Sequence, residues 1–342
     1  MNNKDAVSQL WQRKSHIIRI FLEMRPQYEK LGEEVAYILS QHLHKCDLEY
    51  AAITFRAKTL ESFCEKVARK EYKRPLDETT DLAGVRLVYL YLADLPMIEE
   101  IIEREFQVIE KTNTVEIADP DRFGYGALHY LVKLGKKSSG ARYDSLKDLT
   151  CEIQVKTVLQ DAWSMVAHHL SYKQESDVPR ELRRKLNALS GLFETADDQF
   201  DQLRGERLKY RNRVRNGISE AKGEFLKQEI NFDNLTEFLN WRFPSREKST
   251  SEDITDLLSE LKQFGYTRLI QLDKAIQKSK DAVKAYESKY PPSDPDTGRD
   301  EVPYAPVGVV RAALAFTDKE YDKKRISVFR KQMDEFRSLV AK

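Results

Sequence analysis

The stretch CEIQVKT sets Glu152, Gln154 and Lys156 at alternate positions, with Ile153 and Val155 between them. A strand has a side-chain period of two, so the three polar groups share one face and the apolar pair takes the other. A carboxylate, an amide and an ammonium in one row can accept a proton or hold a cation, orient a hydroxyl and bind a phosphate. The competing reading is the wet side of an antiparallel sheet. An apolar, Trp163-bearing segment follows at once, which favours a polar face that lines a cleft.

A second cluster lies upstream in FRAKTLESFCEK, where Arg56 and Lys58 precede a helical segment carrying Ser62 and Lys66. Residues four apart share a helix face, and fixed cations with a hydroxyl near a helix N-terminus suit a polyphosphate. A solvated basic helix face is the alternative. In DLAGVRLVYLYL, Asp81 stands at the mouth of a strand and Arg86 lies inside it. One carboxylate can hold Mg²⁺ when substrate phosphates complete its shell, and a guanidinium plane can stack on a base. The plainer readings are a turn cap for Asp81 and an ion pair for Arg86. In RFGYGALHYLV, Tyr125 sits between Gly124 and Gly126, placed either to present its ring to a base or simply to fill a turn, and His129 opens a strand. His168 and His169 are adjacent, so they point about 100° apart on a helix and cannot share a metal. They also lack the H-E-x-x-H spacing, which excludes a zinc site of that kind. Cys46, Cys64 and Cys151 form no pair motif.

These residues need elements to hold them. Apolar spacing predicts helices within 5–46, divided at Pro26, and over 59–72, 96–106 and 158–172. Strands are expected at 50–55, 84–92, 107–112, 128–135 and 149–155. Connections such as 140–148 are short enough to join neighbouring strands directly, so the sheet should be mixed. The fold class expected is α+β. Beyond Pro179 the pattern turns helical and charged: a long helical region over 180–230, then helices at 232–243, at 251–265 with Ser251 as N-cap and Gly265 as stop, and near 318–341. Residues 289–306 are rich in proline and turn formers and read as a loop. Two domains are expected, 1–175 and a helical 176–342.

The chain has 342 residues with 57 basic against 56 acidic side chains, so its global charge argues for neither nucleic acid nor membrane. There is no signal-like start and no long apolar run, so a cytoplasmic protein is expected. RGERLKYRNRVRNG, residues 204–217, is locally basic; a solvated helix face is the plain reading and contact with RNA phosphates the other.

The ordered set R-x-K-x3-S-x3-K, D-x2-G-x-R, G-Y-x3-H, E-x-Q-x-K-T and W-x4-H-x3-YK resembles the synthetase domain of the RelA/SpoT family, the (p)ppGpp or alarmone synthetases, over roughly residues 15–175. The resemblance implies a nucleotidyltransferase-like mixed sheet. It implies transfer of a pyrophosphoryl group from ATP to the ribose 3′-hydroxyl of GDP or GTP, with Mg²⁺ as cofactor. In that reading Arg56 and Arg86 sandwich the adenine, and Lys58, Ser62 and Lys66 hold the ATP phosphates. Asp81 binds Mg²⁺, and Glu152 acts at the 3′-hydroxyl as base, metal ligand or both. Tyr125 stacks on the guanine, and His129, Gln154 and Lys156 line the acceptor side. The family's His-Asp hydrolase domain has no counterpart, so a synthetase-only protein is expected.

Phe123, Ala127, Asp161 and Ala167 depart from the family pattern and cluster on the acceptor side. They leave open a toxin-type relative that uses an adenosine nucleotide or the 3′ end of tRNA, and a non-catalytic nucleotide sensor is the third reading. By family analogy the C-terminal helices are expected to mediate homo-oligomerisation or regulation.

Overall fold

A computed structural model describes residues 3–70, 72–113, 126–170, 180–220, 222–292, 303–323 and 327–341. The described chain forms two compact units, residues 1–203 and 204–342.

Unit 1 is built in chain order from α1 (Asn3–Lys45), β1 (Tyr50–Ala57), α2 (Leu60–Lys70), α3 (Pro75–Glu78), β2 (Ala83–Tyr89), α4 (Leu95–Glu105), β3 (Phe106–Asn113), β4 (Leu128–Leu134), β5 (Cys151–Thr157), α5 (Val158–Leu170) and the first part of α6 (Arg180–Glu220). The sheet order is β1-β2-β5-β4-β3, with β2 and β5 parallel and the other pairs antiparallel. This is the mixed five-stranded sheet the sequence predicts.

Alternation divides the sheet into two unlike faces. Val85 and Leu87 of β2, Tyr130 and Val132 of β4, and Ile153 and Val155 of β5 are buried. They form one core with Ile18, Phe21 and Leu39 of α1, Phe63 and Val67 of α2, and Ile98 and Ile102 of α4. Phe21 stacks on Phe63 at 4.4 Å between ring centroids. Each fully buried Leu, Ile, Val or Phe contributes about 1.5–3 kcal/mol relative to exposure, so this face fixes the register of the strands. The opposite face is the polar one.

Several helix limits differ from expectation. Pro26 lies inside α1, and the break in that helix falls at Lys14 (φ −145°, ψ 51°) instead. Proline forfeits one helical hydrogen bond, but Pro26 is exposed, so water can satisfy the freed carbonyl and the buried face beside it continues unbroken. Strand β5 runs from Cys151 through Thr157, so it starts and ends two residues later than predicted. In α5, Trp163 meets Phe193 edge-on at 6.3 Å, whereas Val158, Met165 and Val166 of the same apolar helix are exposed.

Unit 2 is helical: the remainder of α6, then α7 (Lys222–Leu226), α8 (Phe232–Arg242), α9 (Ser251–Gln263), α10 (Leu269–Lys278), α11 (Lys280–Lys289), α12 (Pro306–Thr317), α13 (Lys319–Lys323) and α14 (Ser327–Asp334). The N-cap of α9 is Thr250, not Ser251, because the Thr250 hydroxyl accepts from the Asp253 amide. Gly265 does stop that helix: at φ +74° it allows its own amide to reach the Lys262 carbonyl and the Tyr266 amide to reach Leu261. The charged helix expected near 318–341 is represented among the described residues by α13, α14 and a short 3₁₀ turn at Arg337–Leu339. The apolar helix α12 carries the core of this unit, with Val310, Ala313 and Leu314 fully buried. No helix among the described residues is long and apolar enough to cross a membrane.

Candidate active site

The strand registers turn the polar face into two transverse rows. One runs Arg56, Gly84, Glu152, Leu131 and Glu110 across β1, β2, β5, β4 and β3. The next runs Thr54, Arg86, Gln154, His129 and Thr112. Strands lie about 4.8 Å apart, so each row brings residues distant in sequence within reach of one ligand.

Two clefts open on these rows. The larger, about 210 Å³, is lined by Thr54, Phe55, Arg56, Asp81, Gly84, Val85, Arg86, Glu152 and Gln154. The smaller, about 70 Å³, is lined by Thr80, Glu110, Thr112, His129, Leu131 and Glu152. Glu152 is the one residue common to both linings.

Asp81 lies just before β2 and receives two ammonium groups. Lys58 Nζ donates to its Oδ2 at 2.6 Å and Lys66 Nζ to its Oδ1 at 2.8 Å. Burial opposes ionisation of Asp81, but these two hydrogen bonds outweigh it and hold the carboxyl below its ordinary range. Lys58 is placed by the β1–β2 junction, where its amide donates to the Leu82 carbonyl at 2.9 Å. Lys66 is placed by α2, whose start is capped by Thr59 Oγ1 accepting from the Ser62 amide at 3.3 Å.

Glu152 is held from two sides. His129 Nδ1 lies 3.0 Å from Oε1, and Gln154 Nε2 donates to Oε2 at 2.9 Å. Burial again raises its carboxyl, but the contacts with His129 and Gln154 prevail and lower it, while the charge of Asp81 pushes the other way. Both carboxylates are therefore ionised at neutral pH and feel one another across the larger cleft.

Arg86 Nη1 lies 3.1 Å from Asp161 Oδ1, an ion pair that ties β2 to α5. Lys156 is buried at 7% exposure and donates to Ser164 Oγ at 2.8 Å. Desolvation lowers its ammonium's pKa, and the nearby Arg86 lowers it further.

The structure thus gathers Arg56, Asp81, Arg86, Glu152 and Gln154 around one cleft, sets His129 at the adjoining one, and attaches Lys58 and Lys66 through Asp81. Ser62 is exposed one turn before Lys66 and lines neither cleft, and Lys156 turns away to Ser164. Tyr125 lies outside the described residues. Thr54 and Thr112 join the site without having been singled out in the sequence. Thr54 stands two residues from Arg56 on its own strand, which is the available signal, whereas Thr112 and its neighbour Glu110 carried none.

Among the described residues no group of three or more His, Cys, Asp or Glu side chains is placed to hold a metal ion. Asp81 and Glu152 nevertheless offer two ionised carboxylates to one cleft. That donor set suits Mg²⁺, which uses one or two protein carboxylates and completes its shell with water and phosphate.

Residues 55–177 match the family described as "Region found in RelA / SpoT proteins". GTP pyrophosphokinase YjbM of Bacillus subtilis (strain 168) is 25% identical over 157 residues, covering 45% of this chain and 72% of that protein. GTP pyrophosphokinase YwaC of the same organism is 24% identical over 157 residues, covering 44% and 72%. Among solved structures, the small alarmone synthetase 1 from Bacillus subtilis aligns at 22% identity with a TM-score of 0.46, over 55% of this chain and 97% of that one. The likeness to the RelA/SpoT family falls on the segment that builds the two clefts.

Proposed function

We propose that residues 1–175 form a synthetase domain that transfers pyrophosphate from ATP to the 3′-hydroxyl of GDP or GTP, giving ppGpp or pppGpp and AMP. The observation that carries the reading is the position of Glu152, shared by two clefts of different character. The larger bears the guanidiniums of Arg56 and Arg86 and adjoins the Lys58–Asp81–Lys66 cluster, which suits a nucleoside triphosphate donor. The smaller, with His129 and Thr112, suits the acceptor. The homology to proteins named GTP pyrophosphokinases supports the same reaction class.

In this reading the acceptor O3′ attacks the β-phosphorus of ATP, the bond from that phosphorus to the α–β bridging oxygen breaks, and AMP leaves. The hydroxyl proton passes to Glu152. A carboxylate whose pKa is lowered is a weak base, so Glu152 contributes more by accepting a hydrogen bond from the hydroxyl and aligning it than by driving proton removal. Lys58 and Lys66 exchange Asp81 for phosphate oxygens, and Arg56 and Arg86 bracket the adenine. Asp81 and Glu152 would hold Mg²⁺, which supplies charge neutralisation on the phosphates when bound. Gln154 keeps Glu152 in position, and Tyr125 and Lys156 complete the acceptor side. Residues 176–342 serve in oligomerisation or regulation.

The test is incubation of the purified chain with γ-labelled ATP, Mg²⁺ and GDP, GTP, ATP or tRNA in turn. Label in ppGpp or pppGpp is expected. Label appearing only on tRNA or an adenosine acceptor would replace the guanosine reading with the toxin-type one, and no label with any acceptor would favour a sensor.

A further inference from the structure

The basic segment 204–217 lies on α6, and its arginines at 207, 211 and 215 recur every four residues on one helix face. The facing helix α8 answers the first two. Arg207 makes a forked contact with Asp233, with Nε at 3.0 Å from Oδ2 and Nη2 at 3.0 Å from Oδ1. Arg211 Nη2 donates to Glu237 Oε1 at 3.4 Å. Each pair is 26 positions apart, so the ladder's third rung sets Arg215 against position 241. A carboxylate there would complete the pattern, but the residue is Trp241.

The ladder therefore ends in a cleft of about 440 Å³, lined by Arg211, Arg215, Glu237, Asn240, Trp241, Pro244 and Lys248. Three cations face one carboxylate, and that carboxylate is already engaged by Arg211. Arg215 and Lys248 are exposed, and among the described residues neither forms an ion pair or a side-chain hydrogen bond. The Asn240 side chain likewise has no partner there. Trp241 is half-buried, with its ring braced by Phe238 at 6.0 Å between centroids.

Unpaired cations beside a fixed indole and a free amide match a ligand that is anionic at one end and a flat heterocycle at the other. The volume lies in the range of pockets that take small organic ligands, roughly 300–1,000 Å³. We infer that the α6–α8 cleft of unit 2 binds a nucleoside polyphosphate, with its phosphates on Arg215 and Lys248, its base against Trp241 and the base edge read by Asn240. This site lies outside the segment homologous to the RelA/SpoT family and does not depend on the reaction proposed for unit 1.

The test is photolabelling of the full-length chain with 8-azido-ATP, followed by mapping of labelled peptides by mass spectrometry. Label is expected in the peptide spanning residues 237–248. It should fall at least about tenfold in Arg215→Glu and in Lys248→Glu, as loss of a charge-assisted phosphate contact implies, while label in residues 1–203 is unchanged. Both positions are exposed, so the reversals leave the fold intact, and Trp241→Phe should retain most of the label. Label confined to residues 1–203 would overturn the site, as would label at 237–248 that neither reversal reduces. Protection of this peptide by a single-stranded oligonucleotide but not by ATP would overturn it in favour of an RNA surface. Equal protection by inorganic tripolyphosphate and ATP would remove Trp241 and Asn240 from it.

Discussion

Replacing Asp81 with Asn separates charge from shape at the centre of the candidate site. The carboxylate accepts one ammonium on each oxygen, at 2.6 Å and 2.8 Å, and the Lys58 and Lys66 side chains are only 11% and 20% exposed. An amide can accept from one lysine but turns an N–H donor toward the other. The two ammoniums lie on the order of 5 Å apart, and at an effective dielectric constant of about 20 their unshielded repulsion is about 3 kcal/mol. Relaxation of the lysine stems toward solvent leaves a net loss of about 1–2 kcal/mol. Asp81→Asn should thus unfold at lower temperature than the parent, with the gap narrowing as salt screens the lysine pair. Pyrophosphate transfer should be lost.

The same change should improve binding of an anion that needs no metal. Inorganic tripolyphosphate must displace Asp81 from both lysines in the parent and meets them free in the variant. Its affinity for unit 1 should rise by at least about tenfold, or about 1.4 kcal/mol. Differential scanning fluorimetry with and without tripolyphosphate, together with calorimetric titration, reads both effects. Comparison with the parent cancels any contribution from unit 2. Equal stability at low salt, or tripolyphosphate binding that does not tighten, would show that Lys58 and Lys66 are simply structural partners of Asp81.

Glu152→Gln keeps a hydrogen-bonding group between His129 and Gln154, so unfolding should shift by no more than about 1–2 kcal/mol while kcat falls about 10²–10⁴-fold; near-parental turnover in a label-transfer assay would remove Glu152 from the reaction. Lys156→Met should stabilise the fold by about 1 kcal/mol at neutral pH, because it deletes a buried charge whose desolvation and repulsion by Arg86 outweigh its attraction to Asp161 and Glu152, and a lower melting temperature would contradict this. The pH dependence has a definite sign: the folded-state pKa of Lys156 is lowered, the unfolded chain binds the extra proton between that value and about 10.4, and the stability of the parent relative to the Met variant should rise with pH through this window. Gly84→Ala should fold normally, since a Cβ there meets nothing within 4 Å, yet it should raise the KM for ATP, because that space faces Arg56 and Glu152; an unchanged KM would show that the donor does not pass over Gly84.

Much of unit 1 was legible because one physical pattern repeats along it. Alternation in CEIQVKT and in LHYLVKL separates the buried face from the polar face with no tertiary information. Pro26 misled because the cost of proline in a helix depends on whether the freed carbonyl faces water, which burial decides and spacing does not. The Ser251–Thr250 difference has the same origin, since either hydroxyl could cap the helix. The two transverse rows were not readable, because they depend on inter-strand register, and that is set jointly by core packing and by loops whose lengths do not specify pairing. In unit 2 the basic run on α6 read as one featureless face. Only the position of α8 shows that Arg207 and Arg211 are matched by carboxylates and Arg215 is not.

The site residues share a further property that residue types alone could not reveal. Lys58 and Lys66 are paired with Asp81, Arg86 with Asp161, and Glu152 with His129 and Gln154. Arg56 is the cleft cation for which the described residues supply no partner. A cleft so charged would be costly to maintain with its groups unpaired, because each partly buried ion would lose hydration without compensation. Internal pairing removes that cost when no ligand is bound, and it also sets the terms of binding. A polyphosphate gains the lysines only by displacing Asp81, and the displaced carboxylate is then free for a cation arriving with the phosphates. A base stacked on Arg86 must likewise either keep the Asp161 contact in the guanidinium plane or break it. Since stacking uses the face of the guanidinium and the ion pair uses its edge, the two are compatible. Asp161, one of the departures from the family pattern, can thereby hold Arg86 flat for the donor instead of meeting the acceptor.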